Sequence, residues 1–324
     1  MTFIPRAVSS RSLVAAFILA AFCGGLGSVE AASFEKLNGH PLSSDPEHWV
    51  KRGVVLENGI DGIQNFNSSV EALNGGRWRV WYGSWRPVPN IGFAEGIPGG
   101  EMTRYDAVLS EGEPLDARLS IGNLPAGWRP VQPVSIKLKD GRSRLYFWVH
   151  SSAERIVRFL VADSVDGRRY RVLDPYRPVL YHLNDRAVEF EGTTAMGLKL
   201  IGKSEDLRKR FPRPKQEPAA NPDLICNDGV SVYQLEDGSF EMYAMTLVSL
   251  DPGDPRLESQ QHDNLKGYRR AIDRLISDDG INWHSRRRVI EPDSNDPEDL
   301  QFYYLTVTHT PKGRVGLLGR YRLY

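Results

Sequence analysis

The stretch from Arg269 to Tyr321 reads RRAIDRLISDDGINWHSRRRVIEPDSNDPEDLQFYYLTVTHTPKGRVGLLGRY, and it decides the fold class of this chain. It has the pattern of an alternating strand, a tight Asp-Asp-Gly turn and a second strand that carries Trp283. An acidic, proline-punctuated loop and another hairpin follow. Weaker copies of this unit occur earlier in the chain, and a repeated unit indicates an architecture built from copies of one motif.

Hairpin glycines mark the copies along the chain. Gly76, Gly141, Gly238 and Gly313 each close the first hairpin of a successive unit, and a second hairpin follows in the first three units. The sequence therefore predicts three full four-stranded units and part of a fourth. A β-sandwich would also contain many short strands, but successive hairpin pairs favour an all-β β-propeller, in which each blade packs against its neighbours.

The first unit has the weakest pattern. Trp78, Val80 and Tyr82 alternate and predict its second strand. The Gly- and Pro-rich segment from Pro87 to Gly100 predicts a loop, and strands are expected at Tyr105–Leu109 and Leu115–Ile121.

Composition excludes one class of partner. The chain has 324 residues with 41 basic and 41 acidic side chains, so its formal net charge is zero. A nucleic-acid-binding protein usually carries a basic excess, so no nucleic-acid partner is expected.

The N-terminus has the pattern of an export signal. Arg6 and Arg11 precede the apolar run Leu13–Phe22, which is shorter than the roughly 20 residues that span a membrane. Val29-Glu30-Ala31 has the small-x-small form of a cleavage site. We predict a signal peptide at residues 1–31, a mature domain at 32–324 that is secreted or periplasmic, and no membrane association after cleavage; an uncleaved anchor is the alternative.

Cofactor and metal motifs are absent from the sequence. Cys226 is the single cysteine of the mature chain, so neither a disulfide scaffold nor a Cys-based zinc site is expected. No phosphate-binding loop, serine-hydrolase elbow or H-E-x-x-H motif occurs. We therefore predict no cofactor and no metal.

The turn from Ser277 to Trp283, with the loop and strand from Pro292 to Tyr304, resembles the five-bladed β-propeller glycosidase superfamily. The chain is similar to the N-terminal domain of glycoside hydrolase family 32 and to family 43-like secreted proteins. The resemblance implies that Asp279 and Trp283 are structural. It also implies five blades, so the propeller is expected to be incomplete at the C-terminus and to be completed by a partner or by a missing segment.

Glycoside hydrolysis needs two carboxyl groups that flank the bond. In the resembled superfamily these groups sit on the inner strands of successive blades and point into the central funnel. The matching stretches here suggest Asp61, Asp228 and either Glu298 or Asp299, each of which precedes a predicted inner strand. Asn58–Asn67 contains Asp61 but lacks the N-D-P-N-G-type motif of family 32. Asp61 and Asp228 each precede a glycine, a pair that is equally typical of turns, and Glu298 and Asp299 would also fit a solvated loop.

Carbohydrate contacts are predicted at Arg269, Trp81 and Tyr303, because guanidinium groups bind hydroxyls and carboxylates and aromatic rings offer apolar faces. Trp85, Trp148 and Tyr304 could also stack on sugar rings. His262, His284 and His309 could be ligands or proton shuttles, although scattered histidines without a spacing pattern are more often not metal ligands. A surface ion pair for Arg269 and core packing for the aromatic residues are the structural alternatives.

Three functions remain open at this level. The first is a secreted glycoside-hydrolase-like protein that acts on an oligosaccharide or glycoside. The second is a non-catalytic carbohydrate-binding propeller, and the third is a structural or interaction propeller.

Overall fold

A computed structural model describes residues 66–84, 89–107, 109, 119–182, 185, 229–250, 253–260 and 267–323. Within these ranges the chain is strand and loop, apart from a 3₁₀ turn at Asn74–Gly76 and one turn of helix, α1 (Arg256–Ser259). The all-β prediction is confirmed for the part described. No helix in these ranges is both long and apolar enough to cross a membrane.

Sheet I is an antiparallel meander of β1 (Phe66–Ala72), β2 (Trp78–Ser84), β3 (Asn90–Gly96) and β4 (Met102–Asp106). The prediction of a loop from Pro87 to Gly100 is wrong for its central part, because β3 pairs along its whole length with β2. The glycines of this segment indicate a loop when only the local sequence pattern is considered.

Sheet II contains the meander β6 (Arg129–Lys137), β7 (Ser143–Ser151), β8 (Ile156–Ser164) and β9 (Arg169–Val172). Two short strands extend it: β5 (Ser120–Gly122) pairs in parallel with β9, and β10 (Leu180–Tyr181) pairs with β8. The segment predicted to close the first unit, Leu115–Ile121, thus contributes its last residues to sheet II.

Sheet III is the meander β11 (Val230–Gln234), β12 (Phe240–Ser249), β13 (Tyr268–Ser277) and β14 (His284–Ile290). Its order and turns follow the predicted third unit.

Sheet IV is the hairpin of β15 (Leu300–Thr310) and β16 (Gly313–Arg322). It matches the predicted half unit. The expected partner or further segment beside it stays a prediction.

The sheets bury both faces of their central strands, which explains why these strands read as continuous apolar runs. On β7, Leu145 and Phe147 pack with Phe93 of sheet I, whereas Tyr146 and Trp148 pack in a second cluster with sheet III. On β12, Met242 and Ala244 belong to that second cluster, while Tyr243 and Met245 pack against sheet IV. Each fully buried aromatic or aliphatic side chain contributes about 1.5–3 kcal/mol. Alternate side chains of β7 therefore join the core of sheet II to those of sheets I and III. Alternate side chains of β12 likewise join the core of sheet III to those of sheets II and IV.

The turn between β13 and β14 is held by the Asp279 carboxylate. Its Oδ1 accepts hydrogen bonds from the backbone N–H groups of Ile281 and Asn282, each at 2.7 Å, and from the Ser277 hydroxyl at 3.0 Å. Burial alone would raise the pKa of Asp279, but these donors outweigh it and hold the pKa below its ordinary value. Trp283 is buried with its ring edge toward Tyr146. Both residues are therefore architectural, as the resemblance implied.

The same turn recurs between β8 and β9. Asp166 Oδ1 accepts hydrogen bonds from the backbone N–H groups of Arg168 and Arg169, and from the hydroxyl of Ser164. Tyr170 is the buried counterpart of Trp283. Two successive sheets therefore use one turn design.

Each of these turns docks on an arginine of the preceding sheet. Arg144 of β7 donates through Nη1 to the Asp279 carbonyl at 2.5 Å and pairs with Asp163 at 2.6 Å. A Cβ added at Gly280, where φ is +70°, would lie 2.7 Å from Arg144 Nη1 and from the Tyr146 hydroxyl, so only glycine fits there.

The matching contact joins sheets I and II. Arg79 of β2 pairs with Glu95 of β3, and a Cβ at Gly167 would lie 3.0 Å from Arg79 Nη1. Glu95 also accepts a hydrogen bond from Arg168 at 2.7 Å. We call these two contacts, Arg79–Gly167 and Arg144–Gly280, the inter-sheet latches.

Candidate functional site

Strands β1, β6, β11 and β15, which each begin the meander or hairpin of their sheet, line one cavity of about 1150 Å³. They contact one another in chain order, so all four sheets face the same space. This volume slightly exceeds the roughly 300–1,000 Å³ of a small-molecule site. All four sheets contribute polar groups to this cavity.

Two contacts show that β11 and β15 run in the same direction. A Cβ added at Gly229 would lie 2.2 Å from the backbone oxygen of Tyr303. Four residues further along both strands, the Tyr233 hydroxyl accepts a hydrogen bond from the Val307 N–H at 2.7 Å. Because Gly229 has no side chain, the backbones of the two strands can approach closely there.

Strand β1 is tied to β6 by one serine. The Ser69 hydroxyl accepts a hydrogen bond from the Ser135 N–H at 2.9 Å and donates to the Pro133 carbonyl at 3.4 Å. All three residues line the cavity. The wall between sheets I and II is thus closed by hydrogen bonds and not only by apolar contact.

The described lining is rich in hydroxyl groups and poor in carboxylates. Glu236 is its single acidic residue, and Lys137 and His309 are its basic ones. Tyr304 contributes an aromatic ring that also lies against Gly319. The hydroxyl groups come from Ser68, Ser69, Ser135, Ser231, Tyr233, Tyr304, Thr306 and Thr310.

A charged cluster lies behind the cavity wall between sheets III and IV. The Glu241 side chain is fully buried and contacts His309 Nε2 at 2.6 Å and Arg314 Nη2 at 3.0 Å. It also pairs with Arg274 Nε. Burial would raise the pKa of Glu241, but the donors of His309, Arg314 and Arg274 outweigh it and lower the pKa to about 2. Glu241 is thus a carboxylate at any ordinary pH.

Two of the predicted catalytic carboxylates, Asp61 and Asp228, lie outside the described residues. Glu298 is exposed in the loop before β15. Asp299 pairs with Arg322 through both carboxylate oxygens, at 2.6 and 2.5 Å, across the ends of the sheet IV hairpin. Neither Glu298 nor Asp299 lines the cavity.

The predicted binding residues are not brought together at the cavity. Trp81 is 1% exposed and packs edge-on against Phe93 in the core, so the predicted substrate contact of Trp81 is not supported. Tyr303 is partly buried with its ring over the Arg270 guanidinium, 5.6 Å from centroid to Cζ.

Arg269 contacts the residues that follow β14, the last strand of sheet III. Its Nη1 donates to the Pro292 carbonyl at 2.8 Å, and its Nη2 lies 3.5 Å from Glu291. Burial lowers the pKa of its guanidinium. These contacts match the structural alternative, in which Arg269 forms a surface ion pair.

The residues that do line the cavity, notably Tyr233, Tyr304, Thr306 and His309, carry no local sequence signal of a binding role. Their common signal is position: all belong to the first strand of a unit, after its opening residues. The predicted catalytic carboxylates instead come before those strands in the sequence. Within the described ranges, no group of three His, Cys, Asp or Glu side chains could hold a metal ion.

Comparison with known proteins gave structural similarity alone. No family model and no curated protein matches this chain. An endo-arabinase from Bacteroides thetaiotaomicron aligns with a TM-score of 0.45 and 14% identity, covering 85% of this chain and 82% of the arabinase. A protein of unknown function from Dyadobacter fermentans gives a TM-score of 0.42 and 15% identity, covering 81% of this chain and 63% of that one.

A family 32 β-fructofuranosidase from Bombyx mori aligns with a TM-score of 0.40 and 11% identity, covering 80% of this chain. This chain spans only 42% of that enzyme's length. Glycoside hydrolases recur among the similar structures, and each named activity belongs to the protein that bears it.

Proposed function

We propose that this chain is a glycosidase-type β-propeller and that its cavity binds a carbohydrate. Sheets I to IV would be successive blades, and β1, β6, β11 and β15 their innermost strands. The repeated latches and the core shared by each pair of neighbouring sheets support this arrangement. Five blades remain our expectation for the whole propeller.

The single observation that carries the binding proposal is the chemistry of the cavity lining. Hydroxyl groups from all four sheets meet there beside the rings of Tyr233 and Tyr304. Carbohydrates combine many hydroxyl groups with apolar ring faces, and concave sites recognise such ligands through a few placed polar groups and aromatic surfaces.

Hydrolysis is the second candidate function. It requires two carboxyl groups beside the bond, and the described lining offers only Glu236. The candidates that keep this function open are Asp61 and Asp228, of which Asp228 directly precedes Gly229 at the junction of β11 and β15. Binding is therefore the function that the described geometry supports better.

A binding experiment tests the first candidate. We would titrate xylopentaose, arabinopentaose, cellopentaose and fructopentaose into the mature protein by calorimetry, then repeat the best case with Tyr304→Ala. Loss of one stacking surface should raise Kd about tenfold. Tyr176→Ala is the matched control, because Tyr176 is exposed beside Trp128 and does not line the cavity. Absence of binding to the whole panel would reject the proposal.

Turnover of the same panel tests the second candidate. If the protein is a hydrolase, Asp61→Asn or Asp228→Asn should lower kcat at least a hundredfold, because an amide cannot act as acid, base or nucleophile. Asp278→Asn serves as the comparison, because the Asp278 side chain is 96% exposed and does not line the cavity. Binding without product release in the parent protein would leave carbohydrate binding as the function.

A further inference from the structure

The inference concerns His309, and it rests on the proposed function. His309 lies near the end of β15, nine residues after Leu300. At about 3.3 Å per residue this is about 30 Å along the strand from the predicted carboxylates at its start. His309 lines the cavity, and 30% of its side chain remains exposed. It therefore belongs to a part of the cavity far from Glu298 and Asp299.

The hydrogen bond to Glu241 determines which ring nitrogen carries the proton. His309 Nε2 lies 2.6 Å from Glu241 Oε2. Glu241 is buried and pairs with Arg274 and Arg314, so it is ionised and can only accept. Nε2 must therefore donate, and in the neutral imidazole Nδ1 is then the acceptor.

The imidazole ring of His309 also packs against a neighbouring aromatic ring. The Tyr233 ring meets it edge-on, with centroids 5.1 Å apart, and the Tyr233 hydroxyl is engaged by the Val307 N–H. The titratable and charged groups in contact with His309 are thus Tyr233 on β11 and Glu241 on β12. Around Glu241 lie Arg274 on β13 and Arg314 on β16, which pair with it, and Tyr243 of its own strand. Among the described residues, none is a partner for Nδ1.

We infer that the Glu241–His309 pair forms a ligand-recognition point in the cavity wall, at which Nδ1 accepts a hydrogen bond from a hydroxyl group of a bound carbohydrate. The carboxylate acts as a positioning residue, because it sets the tautomer and the orientation of the ring without touching the ligand. The hydroxyl residues Thr306 and Thr310 of the same strand line the cavity beside it.

The first test measures the tautomer in the parent protein. With ¹⁵N-histidine labelling, long-range ¹H–¹⁵N spectra should show His309 with a protonated Nε2 and an unprotonated Nδ1 at pH 8. Addition of the panel pentasaccharide that binds should shift the Nδ1 resonance. A protonated Nδ1 at this pH would overturn the inference without any variant.

The second test uses His309→Gln. The glutamine amide can keep an N–H donor toward Glu241 but has no counterpart of Nδ1, so Kd for the same pentasaccharide should rise about five- to tenfold through loss of one hydrogen bond. His284→Gln is the control, because His284 lies on β14 away from the cavity and should leave Kd unchanged.

The outcomes separate the two proposals. If the parent protein binds a pentasaccharide and His309→Gln binds it equally well, this inference fails while the proposed function stands. If no pentasaccharide binds to the parent protein, the proposed function fails and the recognition point fails with it. A thermal melt of His309→Gln that coincides with the parent's shows that the comparison reports binding and not unfolding.

Discussion

At the scale of single residues, two aspartates in adjacent positions have opposite roles. Asp279 accepts two backbone N–H groups and the Ser277 hydroxyl, whereas the side chain of its neighbour Asp278 is 96% exposed. The difference arises because a carboxylate two residues after the end of β13 reaches the orphan N–H groups of the turn. One position earlier, the carboxylate faces water.

Asp279→Ala is therefore expected to lower the free energy of unfolding by about 1–2 kcal/mol, through loss of charge-assisted hydrogen bonds to backbone donors. Asp278→Ala should change it by less than about 0.5 kcal/mol. Urea denaturation of both variants at pH 7 provides the comparison. Equal effects of the two substitutions would contradict the assignment of Asp279 as the residue that holds the turn.

At the scale of elements, the second strand of each sheet connects it to the next sheet. Arg79 and Arg144 are both second residues of such strands, and each pairs with the acidic residue opposite on the third strand, Glu95 and Asp163 respectively. Each arginine then reaches the Asp-Gly turn of the following sheet. The repeated unit thus includes, on its second strand, the arginine that contacts the next sheet.

Arg144→Met is predicted to lower the free energy of unfolding by about 2–4 kcal/mol, because it removes a buried ion-pair partner and the donor to the Asp279 carbonyl. Arg142→Met is the matched control: Arg142 also pairs with Asp163, but its side chain is 45% exposed, so the expected loss is below about 1 kcal/mol. Thermal melts and urea titrations measure both. A similar loss in both variants would mean that the latch adds nothing beyond a surface ion pair.

At the scale of the whole molecule, sheets III and IV are joined by a contact in which the second strand carries an acidic residue in place of the arginine of the latches. Glu241 occupies the second position of β12, and the following hairpin supplies His309 and Arg314. Burial alone would raise the pKa of Glu241, but the hydrogen bonds from His309, Arg314 and Arg274 outweigh it and bring the pKa from its ordinary 4.5 to about 2. Because the folded pKa is depressed, the stabilisation is fully present above about pH 4.5 and is lost as pH falls toward 2.

We expect parent and Glu241→Gln proteins to differ in free energy of unfolding by about 2–3 kcal/mol at pH 7, and the difference should shrink as pH falls from 4.5 to 2. Urea titrations across this range measure it. Glu236→Gln, in an exposed turn of the same sheet, should leave the pH dependence unchanged. A gap that stays constant down to pH 2 would show that Glu241 is not held ionised by the cluster.

Much of the architecture was open to prediction from local pattern. Positive-φ glycines at the hairpin turns and alternating or fully apolar strands are local signals, so the second, third and fourth units were located closely. Strand β3 was missed because its glycines, Gly92 and Gly96, resemble a loop. In the structure they lie where a Cβ would meet the Tyr82 ring or the Glu101 backbone.

The site was open to prediction only in part. Nothing local distinguishes Trp81 in the core from an aromatic residue on a cavity wall, and nothing local pairs Glu241 with His309, which is 68 residues away. The sequence by itself determined the all-β class, the repeat and the structural role of the Asp279 turn, because each depends on neighbours within a few residues. Tertiary structure alone decided which first-strand side chains share a cavity and which carboxylate His309 pairs with, because both depend on contacts between sheets.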